Sequence, residues 1–136
     1  MTREIINQLA TLEKFIGKMQ IAALIRGLRG EEKTAFIEII GRLLYTIETM
    51  PETYGQDGKG DAAIVYLHYF RGSMDWYITE RDVEDIQYQA FGLADLGYGA
   101  ELGYISIAEL IQCNVELDFY WTPKTLAEIK AENAKK

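Results

Sequence analysis

The chain has 136 residues, 49% of them hydrophobic, and a net charge of −7. That is enough material for one domain with its own apolar core, in a chain whose field repels phosphates and so disfavours direct binding of nucleic acid. One cysteine (Cys113) and one histidine (His68) exclude an intrachain disulfide and a Cys/His zinc site. No stretch approaches the roughly 18 apolar residues of a membrane span and the first residues lack a signal peptide's apolar core, so the expected setting is reducing and cytoplasmic.

The first 50 residues read as helices. Thr2 is placed to cap the first, with Glu4 in its opening turn. Ile5, Leu9, Leu12, Ile16 and Met19 follow in steps of three and four, which aligns one apolar stripe. Gly17 interrupts the pattern, and the stripe resumes through Ile21, Leu24 and Leu28. One long helix or two with a bend are both compatible with this. The next helix spans 31–50, with Glu31 and Glu32 complementing its macrodipole and Pro51 ending it. Phe36, Ile39, Ile40, Leu43, Leu44, Ile47 and Met50 form a face too wide to leave in water. Were part of that face exposed, it would pair two copies, so a homo-oligomer through helix 31–50 is one expectation.

Residues 51–61 are a loop by composition, and beyond them the apolar period switches to two. Strands are predicted at 62–70, 75–80, 87–95, 103–105 and 115–121, with a hairpin through Arg71-Gly72-Ser73-Met74. In the last strand Val115, Leu117, Phe119 and Trp121 alternate with Glu116, Asp118 and Tyr120, which predicts one covered and one wet sheet face. Ser106 can cap a short helix over 108–111 with Glu109 completing a capping box, and Thr122-Pro123 is read as opening a terminal helix. With no repeat and no long linker, the expectation is one α+β domain over 1–136. It would hold a helical part (1–50) packed on an antiparallel sheet (62–121), then a short C-terminal helix (122–133).

No catalytic or cofactor-binding constellation emerges. Gly55, Gly58 and Gly60 surround Lys59, but a phosphate-binding loop needs Gly-Lys-Ser/Thr between a strand and a helix. Gly97, Gly99 and Gly103 fail the dinucleotide pattern for the same contextual reason. His68 sits mid-strand and Cys113 has no basic neighbour in sequence. The informative feature is charge: residues 72–118 hold ten Asp/Glu against Arg81 alone. This favours a non-enzymatic acidic protein that binds a basic partner surface through Glu80, Asp82, Glu84, Asp85, Asp95 and Glu101. The alternatives are a small enzyme or metal-dependent site drawing on Asp75, Glu80, Asp95 or His68, and a structural subunit of a larger assembly.

Four segments carry a resemblance: Trp76-Tyr77-Ile78-Thr79-Glu80, Phe91 to Gly97 (FGLADLG), Glu101 to Leu110 (ELGYISIAEL) and Thr122-Pro123-Lys124-Thr125-Leu126. Together they resemble a domain family of unknown function carried by plasmids, integrative elements and phages. The resemblance spans about 75–126, leaves residues 1–61 outside, and brings no catalytic residues with it. It implies a context: small acidic proteins of mobile elements often antagonise host defence, as anti-CRISPR or anti-restriction factors, sometimes by imitating DNA. The partner implied is a nucleic-acid-binding defence protein.

Overall fold

A computed structural model describes residues 1–135. Three helices come first, α1 (Arg3–Leu12), α2 (Lys18–Leu28) and α3 (Lys33–Thr49). The Thr2 hydroxyl caps α1 by accepting from the Ile5 amide. The stripe does break at Gly17, whose extended backbone starts α2 as a separate helix. A loop and a 3₁₀ turn (Gly60–Ala62) lead into the strands β1 (Ile64–Val65), β2 (Leu67–Arg71), β3 (Met74–Glu80), β4 (Ala90–Asp95) and β5 (Ala100–Ile105). Then come α4 (Ile107–Gln112), β6 (Glu116–Leu117), β7 (Lys124–Thr125) and α5 (Leu126–Ala134). The main sheet is antiparallel with strand order β5-β4-β3-β2-β6, and β1 pairs separately with β7. The class is α+β, with helices ahead of the sheet and a short helix at the end.

One sheet face lies under the helices. Leu67, Tyr69, Ile78, Ala90, Ile105 and Leu117 pack there with Leu12, Leu24, Ile40 and Ile47. The apolar face of α3 is thereby covered within the chain, since Ile39, Ile40, Leu43, Leu44, Ile47 and Met50 are all buried. Of the face read for pairing two copies through 31–50, Phe36 is left partly exposed. Burial of this kind stabilises by about 25 cal/mol per Å² of apolar surface.

Three further expectations need correction. The outer sheet face is not simply wet: Ala63, Val65, Tyr77, Leu93, Leu126 and Ile129 form a second core there, roofed by α5 and the β1-β7 pair. Pro123 does not open α5; Thr125 does, through a capping box in which its hydroxyl accepts from the Glu128 amide while the Glu128 carboxylate accepts from the Thr125 amide. The strand 115–121 shrinks to two residues because the chain turns at Asp118, whose carboxylate accepts from the Tyr120 amide. Trp121 then lies on the outer face beside Tyr77, opposite the side its alternation predicts.

At the exposed edge of the sheet, the Gln20 side chain acts as a short strand. Its amide donates to the Leu117 carbonyl at 3.0 Å and its carbonyl accepts from the Leu117 amide at 2.9 Å. The edge is closed by a side chain from α2.

Tyr69 is fully buried, and its hydroxyl donates to the Phe15 carbonyl at 2.6 Å. Burial pushes its pKa far above the tyrosine range. The unfolded chain therefore releases this proton first, and stability falls as pH rises past the free-tyrosine value of about 10. Tyr69→Phe should flatten that alkaline slope while costing about 1–2 kcal/mol at neutral pH, because the Phe15 carbonyl loses its donor. Urea denaturation at several pH values between 8 and about 11 would check both; an unchanged slope would contradict the assignment.

Candidate functional site

The β2-β3 hairpin sets His68 opposite Tyr77 on the outer face. The imidazole stacks on the Tyr77 ring at 4.9 Å and 11°, with the Trp121 ring 4.9 Å away on a tilt. Its Nε2 lies 2.7 Å from the Asp75 carboxylate and its Nδ1 lies 3.3 Å from Asp118. Asp118 is held in place by its own amide, which donates to the His68 carbonyl at 2.8 Å. His68 thus has both ring nitrogens engaged by carboxylates. It ties β3 to the segment after β6.

The two carboxylates meet opposite edges of the ring, so they do not converge on a point a cation could occupy. Among the described residues no group of three His, Cys, Asp or Glu is placed to hold a metal ion. Of the residues weighed for an acid/base site, His68, Asp75 and Asp95 come together on the outer face and Glu80 does not join them. Asp75 and Glu80 stand at opposite ends of β3, about 17 Å apart at strand spacing. Cys113 is exposed, and its carbonyl accepts from Arg71 on β2.

What the register brings together is a row of acids. Asp75 sits directly opposite Asp95 across the β3-β4 pair, and Phe70 lies between Asp75 and Glu116 in the same row. Like charges in direct cross-strand opposition are unfavourable. Asp75 is offset by His68, whereas among the described residues Asp95 has no basic side chain in ion-pair reach; its carboxylate accepts only from the Gly97 amide. Tyr77, one row along, feels the field. Its pKa is raised first by burial and then by Asp75, Asp95 and Glu132, against a hydrogen bond from the Asn133 side chain that lowers it. Carboxylates from β3, β4 and α5 therefore share one region.

The six acids singled out from sequence do not form that region. Glu80 and Asp82 are 4% and 6% exposed, so neither offers its charge to a partner. Asp82 is a loop organiser: its carboxylate accepts from the Glu84 amide at 3.2 Å and the Gln89 amide at 3.0 Å. Glu84 and Asp85 are exposed on that loop, but Asp85 is paired with Lys14 of the helical part at 3.1 Å. Asp95 belongs to the outer face. Glu101 lies across from Ala94, one residue off the Asp95–Ala100 pair, so it points to the opposite face.

Asp75, Glu116 and Asp118 take the places of the buried pair. Sequence alternation already marked Glu116 and Asp118 as the polar residues of their strand; the juxtaposition of Asp75 and Asp95 depends on strand pairing and leaves no sequence signal.

Among the described residues, no helix is long and apolar enough to cross a membrane. The chain belongs to the family described as "Protein of unknown function (DUF2958)", whose model matches residues 38–131. The match starts inside α3 and ends in α5, well beyond the segments that carry the resemblance, and takes in most of α3 with the whole sheet. No curated protein matches the chain. No solved structure matches it either.

Proposed function

We propose that this member of a family without an assigned activity is a binding protein that performs no chemistry. Its partner is a basic protein surface, received on the outer sheet face where Asp75, Asp95, Glu116 and Asp118 stand around Phe70. The observation that supports this reading is the Asp75–Asp95 opposition, a like-charge pair with which, among the described residues, only His68 makes an ion-pair contact. Such a pair works against folding, and residues that break a local rule cluster where a surface does work for the molecule. The exposed ring of Tyr120 beside the row supplies an aromatic anchor of the kind interfaces favour. The resemblance to proteins of mobile elements points to the partner class: a nucleic-acid-binding component of a host defence complex, whose basic groove this face would occupy as DNA does.

Reversing Asp95 and Glu116 to lysine leaves the His68 network intact and shifts the charge of the face by four units, from two negative to two positive at these positions. Immobilised wild-type protein should retain Lys/Arg-rich nucleic-acid-binding proteins from a host lysate at low salt and release them at high salt. The double variant should lose at least tenfold of that retention, a loss of about 1.4 kcal/mol or more. Equal retention of the same proteins by both would end this reading.

A further inference from the structure

At the far end of the outer face from Asp75, a cavity of about 440 Å³ opens beside the loop that follows α3. Tyr54, Gly58, Phe91, Leu102 and Leu126 line it, and so do Thr79 and Glu80 at the end of β3. We propose that this cavity is a binding site for an organic cation, an alkylammonium or guanidinium group on an apolar body, with Glu80 as its counter-ion.

The case rests on how Glu80 is buried. It is 4% exposed, and among the described residues no lysine, arginine or histidine forms an ion pair with it. Buried carboxylates are ordinarily paired, because a charge taken from water without a counter-charge is strongly disfavoured. The neighbouring Arg81 is turned elsewhere: its guanidinium donates to the Ile47 and Asp82 carbonyls and reaches Glu52.

The hydrogen bonds leave the carboxylate short of donors. The Thr79 hydroxyl carries one proton and faces two acceptors, the Glu80 carboxylate and the Phe91 carbonyl at 3.1 Å. An ionised carboxylate has capacity for about four hydrogen bonds. The Gln56 amide in the same wall cannot help. Its NH₂ donates to the Ile64 and Thr79 carbonyls at 2.8 Å each, and its oxygen accepts from the Ile64 amide at 2.7 Å. The buried carboxylate at this end of the fold is Glu80, and Asp57 adds an exposed one to the same lining.

The bulge between Ile78 and Glu80 explains how the carboxylate reaches this place. The extra residue re-aims the strand end, as bulges do beside working sites. Around it the lining is apolar and aromatic, which suits the carbon body of an amine, and the volume falls in the range of small-molecule sites. Tyr54 holds a left-handed backbone (φ 75°), unusual for a residue with a side chain, and its hydroxyl is bonded to that of Tyr104. An aromatic ring kept at the wall at that cost is suited to stand beside a cation.

The cationic group has two sources, a free small molecule or a Lys/Arg side chain of a protein, and the test separates them. The full chain, labelled with ¹⁵N, is titrated with n-butylammonium, with agmatine, and with a short capped peptide bearing one lysine; 1-pentanol serves as the uncharged comparison. Saturable shifts are expected at the amides of Gly58, Thr79 and Leu102 with at least one cationic probe and not with the alcohol. Binding by the free amines alone identifies a small-molecule site, and binding by the peptide identifies a partner's side chain. Glu80→Gln should weaken binding at least tenfold, and Leu102→Trp, which fills the cavity without touching the charge, should do the same. Glu38→Gln on α3 should leave it unchanged. Absence of saturable shifts with all three cations overturns the proposal, and so does wild-type affinity in a folded Glu80→Gln variant. Should Glu80→Gln not fold, wild-type affinity in Leu102→Trp overturns it equally. None of these results depends on the acidic row around Asp75.

Discussion

Gly92→Ala should unfold the protein or cost it about 3 kcal/mol or more, the upper end of what overpacking does. Gly92 lies in β4 directly opposite Ile78 of β3, at the middle of the sheet. A Cβ built there would stand 2.0 Å from the Tyr77 carbonyl oxygen, 2.9 Å from its carbon and 3.0 Å from the Ile78 Cα. All three are backbone atoms, so no side chain can rotate away; the strands themselves would have to part. Parting them would disturb both cores, because Ile78 packs under the helices and Tyr77 under α5. Gly103 provides the comparison. It is the partner of Gly92 on β5, yet a Cβ there meets nothing within 4 Å. Gly103→Ala should be neutral or slightly stabilising, by up to about 0.5 kcal/mol. Urea midpoints for the two variants decide the matter, and equal midpoints would show that β3 and β4 do not approach so closely.

Much of the fold was legible in the sequence because it is written in local periods. The stripe Ile5, Leu9, Leu12 and the broad face from Phe36 to Met50 have one consistent interpretation each, and both lie where that places them, in the helical core. The switch to period two marked the sheet for the same reason. What the sequence concealed was long-range. Nothing local says that Trp121 crosses to the face of Tyr77, or that Leu126 and Ile129 roof that face. Charge was the least reliable guide. A run such as Glu80 to Asp85 reads as solvated surface, yet a carboxylate that captures backbone amides is buried as readily as any capping group. Asp82 does this, and Glu80 follows because a bulge re-aims its strand end. Conversely Asp75 and Asp95, twenty residues apart in the chain, become neighbours only through strand pairing.

The loop that holds those hidden acids should fail when Gln87 is shortened. Gln87 is 1% exposed and adopts a left-handed backbone (φ 61°). Its side-chain oxygen accepts from the Asp82 amide at 2.9 Å, and its NH₂ donates to the Asp82 and Glu84 carbonyls at 3.1 and 2.8 Å. Its own carbonyl accepts from the Ile107 amide at 3.0 Å and so fixes the start of α4. One side chain thus serves as the interior of a loop too short to form its own ladder, between the end of β3 and the start of β4. Gln87→Ala strips the Asp82 amide of its partner and takes one of two donors from each of the Asp82 and Glu84 carbonyls, which keep the Arg81 guanidinium and the backbone amide of residue 87. At about 1–3 kcal/mol for a buried group left unsatisfied, a total loss of about 1–3 kcal/mol is expected. Gln87→Asn, one methylene shorter, should recover little of it because the reach to Glu84 is lost. Hydrogen exchange gives the sharper readout: protection of the Asp82, Gln89 and Ile107 amides should collapse together while that of Leu12 and Ile40 persists, the pattern of one local cooperative unit opening. Uniform loss of protection across the chain would show instead that the loop is part of the global folding unit, and unchanged protection would show that Gln87 does not organise it.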